Sequence, residues 1–173
     1  MTAGYTDRFK STVFWTRTGI LLALALVFQM GGFPQPVTGP AVNAILFLAA
    51  MLIGPVGGAI IGVFTPIMAF LRGILPPPLA PVIPFIVIGN GMLVIVYVYL
   101  SRILRVGPDK TFVLRRFIAL GAAALVKFFI LAGAVTFLVE VPAPIAQMMT
   151  LPQLYTALAG GFIALLIHRA LPL

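Results

Sequence analysis

Long apolar runs, separated by short clusters of glycine, proline and basic residues, fill most of this chain. A spanning helix needs about 20 mostly apolar residues, each rising about 1.5 Å. The first run covers 18–33 and is closed by Gly31, Gly32, Pro34 and Pro36. The second, 41–53, ends at Gly54-Pro55, and the third, 57–71, ends at Arg72 and the prolines 76, 77 and 78. Three more follow at 84–100, 115–138 and 151–167, the last opened by Thr150, Leu151, Pro152 and Gln153 and ended by His168 and Arg169. Pro152 suits a first helical turn, where its missing donor is no loss. The pattern predicts an all-α membrane protein, a compact bundle of six transmembrane helices forming a single integral membrane domain over residues 1–173. The second run holds only 13 residues, so that helix is expected to be short, irregular or re-entrant. The basic N-terminal segment is followed by a long apolar run without a clear small-x-small cleavage site, which reads as a retained first span.

Composition agrees with this reading. Hydrophobic residues make up 62% and charged residues 8%, with a mean hydropathy of +1.19. Soluble domains carry about 25% charged residues. Too few charges remain to cover a water-facing surface, which excludes a soluble enzyme or a free nucleic-acid-binding module. There is no cysteine, one histidine and only three carboxylates. That leaves no catalytic constellation, no metal site and no cofactor to be expected. The chain also lacks a Gly-x-x-x-x-Gly-Lys-Ser/Thr phosphate loop.

The net charge of +8 is a matter of placement. With six spans, both termini and the fourth-to-fifth connection share one side. On it lie Arg8, Lys10, Arg17, Arg102, Arg105, Lys110, Arg115, Arg116 and Arg169; only Arg72 falls in a loop on the other side, and Lys127 lies inside a span. Basic residues concentrate in cytoplasmic segments, so both termini are expected in the cytoplasm. The basic loop needs no nucleic acid, and touches membrane lipid or a partner protein instead.

Polar side chains inside a span are expensive and therefore informative. Gln29, Asn43, Arg72, Asn90, Glu140, Gln147, Gln153 and Tyr155 all fall in the outer halves of the spans or in the outer loops, and Lys127 sits at mid-depth in the fifth span. The inner halves hold mainly Leu, Ala, Ile, Val and Gly. A channel or proton relay places polar groups through the whole depth. The one-sided set predicts a pocket open to the outside above a sealed floor. Simpler roles stand beside this one. Arg72 and Glu140 also suit headgroups, Gln29 and Asn43 suit interhelical hydrogen bonds, and Asn90 suits close helix packing. Phe28, Phe33, Phe85 and Tyr155 either stack on a planar ligand or join the interfacial aromatic belt. Three uncharged or nearly uncharged outer loops rich in proline are either plain helix punctuation or a stiff rim to the pocket.

Small residues recur at Gly54, Gly57, Gly58 and Gly62, at 121–124, and at Ala157, Gly160, Gly161 and Ala164. They let membrane helices pack closely, inside the bundle or against another membrane protein.

Several stretches together resemble the substrate-binding S components of energy-coupling factor (ECF) transporters. They are Val37 to Asn43, Ile53 to Gly62, Leu71 to Pro78, Pro84 to Gly91 and Leu151 to Gly161, within about residues 16–169. The resemblance implies a multi-pass subunit of a bacterial or archaeal cytoplasmic membrane that captures a vitamin or related micronutrient in an outward pocket. It also implies a transmembrane coupling subunit and two cytoplasmic ATPases as partners, and transport by tipping of the whole subunit. Many members carry Ala-x-x-x-Ala in the first helix for docking; the match here is Gly19 and Ala23, four residues apart. The substrate-binding set expected from the residues is Asn43, Arg72, Asn90, Lys127, Glu140, Gln147, Gln153 and Tyr155, with the two cations favouring an anionic ligand. The alternative is a six-helix structural scaffold of the rod-shape-determining type, which would need no solute pocket.

Overall fold

A computed structural model describes residues 11–104 and 112–171. Arg8, Lys10, Arg105 and Lys110 lie outside the described residues. Six long helices form the bundle: α1 (Thr12–Met30), α2 (Gln35–Leu52), α3 (Pro55–Leu71), α4 (Ile83–Ile103), α5 (Phe112–Gly133) and α7 (Leu151–Ala170). A 3-10 segment (Pro77–Val82) precedes α4, a π-helical turn (Ala134–Leu138) ends α5, and a short α6 (Ala143–Met148) leads into α7. No strand occurs among the described residues.

Five stretches are long and apolar enough to cross a membrane, and one of them is α2. The second span is therefore neither short nor broken. It runs for 18 residues because Gln35-Pro36 opens it. Pro36 sits in the first turn, where no donor is needed; Pro40 lies inside the helix and leaves Pro36 O without its usual donor, yet the helix continues through it. The shorter apolar helix is α3, with 17 residues and a length of about 26 Å. The first helix also starts earlier than the apolar run does. Arg17 does not stop it, because its guanidinium extends along the bundle and Nη1 donates to Leu52 O at 3.5 Å, at the end of α2.

Helix α2 is the axis of the bundle. Every residue from Val42 to Ala50 is buried, as in a helix apolar all round. It packs most extensively on α7, and α4 packs likewise on α5. Glycines permit both approaches to α7: a Cβ on Gly160 would lie 2.5 Å from Pro40 O, and one on Gly161 would lie 2.4 Å from Leu120 Cδ1. The small residues of α7 thus serve internal packing. Between α2 and α3 the chain turns on Ile53-Gly54. Gly54 has φ +99°, a region that residues with a Cβ rarely adopt, and Pro55 restarts the helix.

The two ends of the bundle differ. Arg17, Arg102, Arg115, Arg116 and His168 gather at one end around a recess of about 400 Å³. His168 is half-buried there, and Arg116 Nη1 donates to its Nδ1 at 3.2 Å. At the opposite end, Leu79, Val82, Leu131, Ile145 and Met149 form a second apolar cluster, joined by Leu75, Phe85, Ile86 and Val135. This cluster ties the proline-rich segments to the heads of α4 and α5 and makes a cap.

Candidate functional site

Beneath the cap lies a cavity of about 70 Å³. Its polar lining comes from six helices: Gln29 of α1, Gln35, Thr38 and Asn43 of α2, Thr65 of α3, Asn90 of α4, Lys127 of α5 and Gln153 of α7. Leu75, Ile86 and Met149 close it on the cap side, and Val42 and Pro66 complete the walls.

Lys127 is 4% exposed and stands in the middle of α5. Its Nζ donates to Asn43 Oδ1 at 2.7 Å. Asn43 Nδ2 donates in turn to Gly39 O at 2.9 Å and to Thr156 Oγ1 at 3.4 Å, and Thr156 Oγ1 donates to Gln153 O at 3.1 Å. The chain of bonds links α5, α2 and α7 across the bundle. It fixes the Asn43 amide so that its oxygen meets the lysine. Among the described residues no salt bridge reaches Lys127, and no carboxylate lines the cavity. A buried amino group in such a place is a strong attractor for an anion or another acceptor.

Asn90 reaches the cavity for a different local reason. Pro66 interrupts α3, and a proline leaves the carbonyl four residues earlier without its usual donor. That carbonyl is Gly62 O, and Asn90 Nδ2 donates to it at 3.2 Å. Gly62 allows this approach, since a Cβ there would lie 3.0 Å from Asn90 Cβ. Asn90 Oδ1 is buried and has no hydrogen-bond partner.

Of the eight residues expected to bind substrate, the fold brings Asn43, Asn90, Lys127 and Gln153 to one cavity. Arg72, Glu140, Gln147 and Tyr155 are exposed and line no part of it. Arg72 and Glu140 sit in the segments that leave the bundle, so their heads face outward. Gln147 lies on the exposed side of α6, and Tyr155 is one residue round from Thr156 on α7. None of the four aromatics expected to stack on a ligand lines the cavity; Phe28 and Phe33 pair with each other, ring centroids 6.1 Å apart. Sequence reasoning missed Gln35, Thr38 and Thr65 as lining residues. Thr65 had a signal, because it directly precedes the mid-helix Pro66. Gln35 and Thr38 had none, since they were assigned to a loop rather than to α2. Gly19 and Ala23 lie exposed on one face of α1, with nothing within 4 Å of a Cβ on Gly19.

An all-helical, largely apolar bundle with five stretches long enough to cross a bilayer is a multi-pass membrane protein. Within that class the chain belongs to the ECF transporter substrate-specific component family, whose model matches residues 14–171. It is thus a substrate-binding transport subunit and not an enzyme. Neither a curated protein nor a solved structure matches this chain.

Proposed function

We propose that this protein captures a vitamin or related micronutrient in the cavity around Lys127, facing the outside, and delivers it through an ATP-driven ECF assembly. The observation that carries the reading is the buried Lys127–Asn43 pair lining a polar cavity in one half of the bundle. A structural scaffold has no use for that arrangement, since a lysine in a membrane span without a carboxylate partner costs several kcal/mol by lower estimates. Among the described residues, packed apolar side chains around α2 separate this cavity from the basic recess at the other end. That supports a subunit that binds and moves as a body in preference to one that conducts.

Ligand-sized pockets are usually about 300–1,000 Å³. The cavity at about 70 Å³ fits a compact solute or the polar head of a larger one whose remainder displaces the cap. Energy would come from two cytoplasmic ATPases through a transmembrane coupling subunit, with Gly19 and Ala23 on the docking face. Both termini would be cytoplasmic, which puts the basic end inside and the cap outside.

Native mass spectrometry of the detergent-purified protein tests the reading. A metabolite should co-purify with the wild type and be lost from a folded Lys127→Met variant. A folded wild-type protein that carries no solute, or a Lys127→Met variant that retains it in full, sinks the proposal.

A further inference from the structure

The hydrogen-bonding inventory of the cavity restricts the chemistry of what it holds, given the reading of this cavity as the capture site. Gly62 O requires a donor because Pro66 cannot supply one, so the Asn90 amide has its nitrogen turned toward α3. Its oxygen is thereby committed to the other direction. Asn90 is 3% exposed, and Oδ1 is buried with no partner. A buried acceptor left unpaired costs about 1–3 kcal/mol, and folded proteins hold few of them. Asn90 lines the same cavity as Lys127. Lys127 Nζ has donors to spare beyond the one it gives Asn43 Oδ1. The glutamines at 29, 35 and 153 can donate or accept and so discriminate nothing.

The cavity therefore offers surplus donors at one point and a lone acceptor at another. We propose that its ligand presents a bifunctional polar head, with a carboxylate-type acceptor on Lys127 and a hydroxyl or N–H donor on Asn90 Oδ1. Hydroxy- or amido-carboxylates satisfy both positions. Simple fatty acids leave Asn90 unpaired, and neutral alcohols and esters leave Lys127 without its anion.

The test uses the detergent-purified full chain and short probes that fit the cavity: lactate and 3-hydroxybutyrate, their hydroxyl-free partners propionate and butyrate, and methyl lactate. Dissociation constants are read by calorimetry. Each hydroxy acid should bind about ten-fold or more tightly than its partner, matching the penalty of one unpaired buried acceptor. Methyl lactate should bind weaker than lactate by a similar factor. A second protein separates recognition from folding. Pro66→Ala returns a backbone donor to Gly62 O, so adding Asn90→Leu to it removes the unpaired acceptor without orphaning the carbonyl. In that double variant the preference for hydroxy acids should fall to about one.

Equal binding of hydroxy and simple acids by the wild type overturns the proposal, since bound water would then serve Asn90 as well. A preference that persists in the double variant overturns it too. So does failure of both hydroxy acids to bind while a co-purified metabolite is still present, an outcome that leaves the capture reading standing. No co-purified metabolite and no binding of any probe would remove both.

Discussion

At the residue scale, two side chains do different work in one cavity. Lys127 is held by Asn43, and Asn90 is held by a carbonyl that Pro66 leaves free. Asn90→Leu alone exchanges one unpaired buried acceptor, Asn90 Oδ1, for another, Gly62 O, so it should change stability little. Pro66→Ala in the same background gives Gly62 O a backbone donor and should stabilise by about 1–3 kcal/mol, read as melting temperature in detergent. If the double variant melts no higher than the single one, Asn90 does not act through Gly62. Lys127 and Asn90 were legible from the sequence because a polar residue deep in an apolar run needs a reason to be there. Their partners were not, since Asn43 lies 84 positions from Lys127 and Gly62 lies 28 positions from Asn90.

At the element scale, the helices meet through glycines whose missing side chains are filled by a neighbour. Gly161→Val should lower stability by about 1–3 kcal/mol through overpacking against Leu120. Gly121→Ala, where nothing lies within 4 Å, should be neutral or stabilising by up to about 1 kcal/mol. Comparable melting temperatures for the two variants would contradict the close contact between α5 and α7. Helix existence was legible from apolar run length in all six cases. Boundaries were less so. The start of α2 was hidden by Pro36 and Pro40, which read as loop signals, although a helix tolerates proline in its first turn and this one continues past Pro40. That error removed Gln35 and Thr38 from the expected site.

At the scale of the whole molecule, the expected topology has the basic end in the cytoplasm. The chain has no cysteine, so single substitutions give clean reporters. In intact cells a membrane-impermeant maleimide should label Glu140→Cys and leave Ser101→Cys unlabelled until the membrane is opened. The reverse pattern would invert the orientation and place the cavity on the cytoplasmic side. Docking is separable from capture. Ala23→Trp, on the exposed face of α1, should abolish uptake in cells holding the full transporter while solute binding by the purified subunit stays near the wild-type value. Uptake at the wild-type rate would mean that another face meets the coupling subunit.

Apolar run length and the scarcity of charge determined the class of this protein, because a chain with 8% charged residues has no way to face water and its runs match a bilayer in length. The same scarcity made each buried polar residue stand out as a candidate. Which candidates share one cavity was decided only by the fold. Side-chain direction around a helix and the pairing of α2 with α5 and α7 depend on packing between segments far apart in sequence. Glu140 and Lys127 stand 13 positions apart on one stretch of chain, yet one head faces outward and the other is enclosed.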